Sequence, residues 1–288
     1  MKKFLGVILS IVMAVCGFCL TACGETDGGK TKLYVYTNAG FAPYEFVNES
    51  GEVVGVDIDV MKEVGEVLGY DVVINDIEFN QILVEVAKNP MAVGAAGMTK
   101  KTERDTVADA SIPYATSVQY VIVPTGTFDS TDLVGGKLPV SKLGELTKKV
   151  VGVQEGTTGN YLIEDAIAGT EDAGPDEIEG TVDDFHVTGD LEGIDFQCMT
   201  YTNAIVASQD IGTTLGAVVI DKLPANSIVS ASNNTLECFE LVADIEEYVI
   251  YFHKDADALR EKVNKILQAM IDGGVIDYYT LKHSGGIL

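Results

Sequence analysis

Short β-like runs alternate with amphipathic helical stretches along this chain, and the alternation runs through twice. Leu33 to Tyr36 is apolar enough for a strand. Ile58, Met61, Val64, Val67 and Leu68 then recur at helical spacing, and Gly69 stands where a helix would stop. Asp71 to Ile74 reads as a strand and Phe79 to Ala87 as a helix. After Gln119 to Val123 the series restarts with a strand at Val150 to Val153 and a helix from about Gly159 to Ala168. A strand near Phe196 to Met199, a helix from Asn203 and a strand from Ala217 to Ile220 follow. Leu259, Val263, Ile266, Leu267, Met270 and Ile271 form the apolar stripe of a last helix, closed by Gly273-Gly274. Parallel strands joined through helices bury both faces of a sheet, so two successive series predict two α/β lobes.

Composition agrees with a packed chain. With 47% hydrophobic residues, 30 Gly and only 7 Pro in 288 residues, it is neither disordered nor collagen-like, and its length suits about two domains. The formal charge of −25 argues against a nucleic-acid partner, because binding to phosphate backbones needs clustered cations. Five Cys are too few for a disulfide-dense scaffold, and the one CxxC, Cys16 to Cys19, has no second pair to complete a metal pattern.

The N-terminus sets the compartment. Lys2 and Lys3 precede an uncharged stretch from Phe4 to Leu20, the order of a secretory signal and short for a membrane span. Leu20-Thr21-Ala22-Cys23 follows, and its small residues before a cysteine resemble the bacterial lipobox. We expect a lipoprotein signal peptide at 1–22, lipidation (palmitate among the acyl chains) on Cys23, and a flexible tether at 23–31. An ordinary signal peptide with an incidental cysteine is the alternative. Either way the folded part lies outside the cytoplasmic membrane, in the lipoprotein case touching it through the anchor alone.

Patterns for catalysis and metal binding are missing. HExxH, GxSxG, SxxK and Walker GK[ST] do not occur, and His186, His253 and His283 are scattered in polar surroundings. Twelve acidic residues stand from Glu164 to Asp195 without one Lys or Arg, but no DxDxDG spacing accompanies them, so a solvated, extended loop is expected rather than a calcium site. No cofactor and no metal are expected. Cys198 and Cys238, the thiols left beyond Cys23, leave a disulfide and two separate buried thiols equally open.

Two local features point to a small anion. Gly152-Val153-Gln154-Glu155-Gly156-Thr157-Thr158-Gly159 follows a strand and opens a helix, presenting backbone N–H groups and hydroxyls; it lacks the GxGxxG register of a dinucleotide loop. Only two of the 19 basic residues are Arg, and one of them, Arg104, stands in what reads as a loop, Gly97-Met98-Thr99-Lys100-Lys101-Thr102-Glu103-Arg104. A guanidinium grips a carboxylate with two parallel hydrogen bonds, which an ammonium cannot reproduce. A surface ion pair is the duller reading of Arg104.

Five stretches in order, over about Lys32 to His283, resemble the extracytoplasmic solute-binding proteins (family 3 type) of polar amino acid ABC transporters. They are Tyr36 to Phe46 (YTNAGFAPYEF), Gly55 to Asp59 (GVDID), Gly97-Met98-Thr99 with Thr102-Glu103-Arg104, Gly152 to Thr158, and Ala217 to Asp221 (AVVID). The resemblance implies the two-lobed periplasmic-binding-protein-like (type II) α/β fold with a hinge of two crossing strands. Lobe one would comprise 32–115 plus 248–288 and lobe two 118–246. It implies no enzyme but a monomeric, lipid-anchored binding protein on the extracytoplasmic face of the cell membrane, handing a free amino acid to an ABC transporter permease. A same-fold sensor without transport and a dehydratase-like enzyme are its alternatives.

Carried over residue by residue, Arg104 would clamp the α-carboxylate, helped by hydroxyl or backbone donors of Thr99 and Thr158, with Thr157 a further ligand-binding residue. Asp221 and the Gly97 carbonyl would take the α-ammonium. Phe41 and Phe79 would sandwich the side chain, and Gln154 would reach its tip. A zwitterion leaving water needs both charges paired. The duller readings make Phe41 and Phe79 core aromatics and Asp221 and Thr158 helix caps. Asn38 stands where many members carry Asp; losing that carboxylate disfavours a basic ligand and favours a neutral or polar amino acid.

Overall fold

The computed structural model describes residues 30–172 and 185–285. The expected leader 1–22, Cys23 and all but the last two residues of the expected tether 23–31 lie outside them, as do residues 173–184 of the acidic stretch. The chain divides into two compact units, one taking the described residues up to Thr116 and from Glu246 onward, the other Ser117–Ile245. Glu246 belongs to the first unit rather than to the expected lobe two. It opens the strand Glu246–Phe252, which pairs antiparallel with Ala92–Thr99.

In the first unit the sheet runs Asp71–Asp76, Lys32–Thr37, Ala92–Thr99, Glu246–Phe252, Asp109–Ala110. Its first three strands are parallel and Glu246–Phe252 is antiparallel to its neighbours. The central strand Ala92–Thr99 is buried at every position. Covered on both faces, it carries small residues, and a Cβ on Gly94 would come within 2.7 Å of the Ile82 side chain. Helix Val56–Leu68 packs against this sheet and ends at Gly69, whose φ of 72° suits the left-handed cap that glycine favours.

The second unit repeats the order: Gln197–Tyr201, Val150–Gln154 and Ala217–Asp221 are parallel, followed by Gln119–Pro124, antiparallel to both its neighbours, and Leu236–Glu240. Its core gathers Val121, Val123, Leu138, Leu143, Val151, Val153, Ile163 and Val219.

Two local expectations are corrected. Phe79 to Ala87 is a 3-10 turn, Phe79–Gln81, leading into the helix Ile82–Val86. Arg104 lies in the short helix Thr102–Asp105 rather than in a loop, because the strand before it runs on to Thr99. The helix Lys222–Ala231 and the strands Leu236–Glu240 and Glu246–Phe252 complete the pattern; Pro224 is tolerated within the first turn of that helix, where its missing N–H has no partner to lose.

Candidate functional site

In open parallel sheets, ligand-binding residues collect beyond the carboxyl ends of the strands. The predicted residues fall there in both units, and each unit is described by itself.

In the first unit Asn38 follows the strand Lys32–Thr37, Phe79 follows Asp71–Asp76, and Gly97 and Thr99 end the strand that leads to Arg104. Arg104 Nη1 donates to the Thr99 carbonyl at 2.7 Å, and its guanidinium carbon lies 5.3 Å from the centre of the Phe79 ring. The Tyr251 hydroxyl donates to the same carbonyl at 3.4 Å and accepts from the Lys101 N–H at 3.2 Å. Two donors on one carbonyl and an aromatic face fix the base of the guanidinium.

Thr99 differs from expectation. Its hydroxyl donates to Glu246 Oε2 at 2.5 Å. Its one proton is spent there, so in this geometry the hydroxyl offers lone pairs and not a donor. Asn38 Nδ2 donates to the Ile77 carbonyl at 2.7 Å, and the neighbouring Ala39 N–H donates to Asp76 Oδ1 at 2.8 Å.

Phe41 is buried against Tyr44 and Tyr248, with ring centroids 5.9 and 6.3 Å away, so it is a core aromatic whatever else it touches. Its ring also explains Gly97. That residue has φ +53°, and a Cβ on it would stand 2.6 Å from the Phe41 ring. The Gly97 N–H donates to Asp57 Oδ2 at 2.8 Å, and the Tyr114 hydroxyl donates to Asp57 Oδ1 at 2.6 Å. Burial pushes the Asp57 carboxyl up to about 6, against the lowering effect of those two hydrogen bonds. The same burial, with the adjacent Asp57 charge, raises the Tyr114 hydroxyl well above the usual phenol range.

In the second unit Gln154 and Asp221 end neighbouring parallel strands, and Gln119 begins the antiparallel one. Gln119 Nε2 donates to Asp221 Oδ2 at 3.1 Å and to Thr158 Oγ1 at 3.2 Å. Gln119, Gln154 and Asp221 are buried, so the Asp221 carboxylate is held in a low-dielectric setting with a neutral donor beside it. Asp221 precedes the helix Lys222–Ala231 but makes no side-chain cap bond, so the capping alternative is not realised.

Thr157, not Thr158, caps the helix Thr158–Ala168. Its Oγ1 accepts from the Asn160 N–H at 3.3 Å and donates to the Gln154 carbonyl at 2.7 Å. Gly156, with φ +74°, makes the turn between strand and helix.

Gln119, Glu246, Asp57 and Tyr114 carry much of this geometry, and sequence reasoning passed them over as site residues. Asp57 lay inside the GVDID stretch, where an acidic residue beside the apolar Ile58 was the available signal. Gln119 and Glu246 begin apolar strands, where a polar residue reads as an edge, and Tyr114 lies in irregular chain just before the strand Ala115–Ser117.

Comparison with known proteins places these features in a group. Residues 33–285 match the family model described as bacterial extracellular solute-binding proteins, family 3. The arginine-binding extracellular protein ArtP of Bacillus subtilis (strain 168) is 30% identical over 161 residues, 54% of this chain and 57% of its own. The probable ABC transporter arginine-binding protein ArtJ of Chlamydia trachomatis serovar D is 33% identical over 93 residues, 32% of this chain and 36% of its own. The chain thus spans about half the length, or less, of these curated relatives. Among solved structures, an ancestral arginine-binding protein bound to glutamine superposes with a TM-score of 0.70 at 28% identity, covering 91% of this chain and 100% of that one.

Proposed function

The chain belongs to the bacterial extracellular solute-binding proteins, family 3, with their two-lobed periplasmic-binding-protein-like α/β fold, and from that premise we propose that it captures a free amino acid for an ABC importer. Arg104 takes the α-carboxylate through its guanidinium fork, and Asp221 takes the α-ammonium, with Thr158 and the Gly97 carbonyl supplying further hydrogen bonds; the Thr157 hydroxyl is spent on the Gln154 carbonyl and the helix cap. The observation that carries this reading is that a half-buried guanidinium stands beyond the parallel strands of the first unit and a buried carboxylate beyond those of the second, each braced by a neutral or aromatic neighbour: Arg104 by Thr99 and Phe79, Asp221 by Gln119. A zwitterion moved out of water needs both.

For the side chain we propose a neutral or polar amino acid. Asn38 donates its amide to the Ile77 carbonyl and brings no negative charge to meet a cation. The ancestral relative bound to glutamine supports this class. A second reading, arginine, is favoured by the relatives named as arginine-binding. We further propose that the chain is a monomer, lipid-anchored at Cys23 on the extracytoplasmic face, and delivers its ligand to a permease; Cys23→Ala then releases it from the membrane fraction.

A thermal-shift and calorimetry panel of the common amino acids tests the proposal. Binding to the folded state raises its melting temperature by mass action. Response to glutamine-like ligands supports the neutral class, response to arginine alone supports the second reading, and no response to any amino acid removes the function.

A further inference from the structure

We propose that Asp57 is a positioning residue for ligand capture: its buried carboxylate fixes the left-handed Gly97 and ties it to Tyr114, which precedes the chain's exit from the first unit at Thr116 by two residues. The inference rests on the reading of Gly97, Thr99 and Arg104 as ligand contacts given above.

The backbone shows why such a residue is needed. The ladder between Ala92–Thr99 and Glu246–Phe252 pairs Gly94 with Tyr251 and Met98 with Val249, so its register shifts between them and Gly97 falls in the irregular stretch. A bulge re-aims the residues after it and takes an N–H out of the regular ladder. At Gly97 that N–H turns to Asp57 Oδ2, an atom 40 residues away on the helix Val56–Leu68. The other oxygen of Asp57 accepts from Tyr114, whose own N–H donates to the Tyr248 carbonyl at 2.9 Å. One carboxylate thereby sets the direction of the Gly97 carbonyl and the start of the segment leading out of the unit.

The charge state of Asp57 tunes this hold. A carboxylate accepts from both donors at full strength, whereas the protonated acid must use one oxygen as a donor itself. Around it, Glu45 and Tyr44 act on the Tyr114 hydroxyl, Glu246 is engaged with Thr99, and Asp59 on the same helix faces Lys282 and His283. With its carboxyl pushed up to about 6, Asp57 loses its charge within the range that extracytoplasmic proteins meet.

The test uses the full chain and the tightest amino acid from the panel, by calorimetry from pH 5 to 8, with Asp57→Asn and Tyr114→Phe. The unliganded proteins are compared by hydrogen exchange at the Gly97 amide. The wild type is expected to weaken about tenfold on acidification, the size of one hydrogen bond. Asp57→Asn should bind about tenfold more weakly at pH 7.5 and lack the pH dependence. Tyr114→Phe removes a bond that keeps the Asp57 carboxyl acidic, so its affinity midpoint should move to higher pH. Faster Gly97 exchange in Asp57→Asn supports the hold directly; this readout distinguishes positioning from general stability. Affinities within twofold for Asp57→Asn and wild type at every pH, an unmoved midpoint in Tyr114→Phe, or an equally protected Gly97 amide overturn the inference while leaving the function standing. A wild type that binds no amino acid overturns the function, and the Gly97 exchange comparison then still decides whether Asp57 holds that backbone.

Discussion

Gln119 and Asp221 stand opposite each other on antiparallel strands, and the amide of the first donates to the carboxylate of the second at 3.1 Å. The same amide reaches Thr158 at the start of the next helix, so one neutral side chain orients both a charge and a hydroxyl. Gln119→Leu leaves the buried Asp221 carboxylate without this donor. It should destabilise the chain by ~1–3 kcal/mol in urea unfolding and weaken amino acid binding in calorimetry. Unchanged affinity would show that Asp221 is oriented by something else.

Arg104 is expected to be indispensable. Arg104→Ala should abolish amino acid binding while circular dichroism and melting stay close to wild type, since the residue is only half-buried. Arg104→Lys should also bind poorly, because a point charge cannot reproduce the fork. Phe79→Leu removes the aromatic face under the guanidinium and should cost ~0.5–1 kcal/mol of affinity. Retention of full affinity in Arg104→Ala would rule out the clamp.

Thr157 and Thr158 are adjacent but do different work. Thr157→Ala deletes the cap of the helix Thr158–Ala168 and should lower stability by ~1 kcal/mol. Thr158→Ala leaves the cap in place and should change affinity more than stability, because Thr158 meets Gln119. Denaturant melts of the two single variants, set beside their calorimetric affinities, separate the roles; a reversed order would refute the assignment.

Asp57 links stability to pH in a direction opposite to its effect on affinity. Its folded carboxyl stands at about 6 against an ordinary 3.8, so the unfolded chain surrenders this proton first. The stability it contributes is present below about pH 4 and is lost as pH rises through about 6, by on the order of 3 kcal/mol. The unfolding free energy of wild type minus that of Asp57→Asn should therefore fall between pH 4 and pH 7 in urea titrations. A difference that grows with pH would contradict the buried, protonatable state.

Cys198 and Cys238 are free thiols on Gln197–Tyr201 and Leu236–Glu240, the two edge strands of the second sheet. Four strand spacings separate those edges, about 19 Å, where a disulfide needs Cα atoms within about 7 Å. Burial pushes both thiols up to about 11. Native alkylation at pH 8 should be slow and become complete on unfolding, with mass spectrometry finding both thiols reduced; a recovered Cys198–Cys238 peptide pair would contradict the sheet order.

The alternation of periods, the glycines at helix ends and the charged residues near strand ends were legible in the order of residues, because each depends on neighbours within a turn or a strand. Hence the α/β class, the helix Val56–Leu68 with its Gly69 stop and the gathering of Gly97, Thr99 and Arg104 could all be anticipated. What completes the site depends on partners that folding brings from far along the chain. Asp221 meets Gln119 across 102 residues, Asp57 meets Gly97 across 40 and Tyr114 across 57, and Thr99 meets Glu246 across 147. Hydropathy period reports which face of an element is buried, but it carries no information about which polar atom from another strand arrives there. Only the packed sheets, by bringing these buried donors and acceptors within reach of one another, selected these pairs.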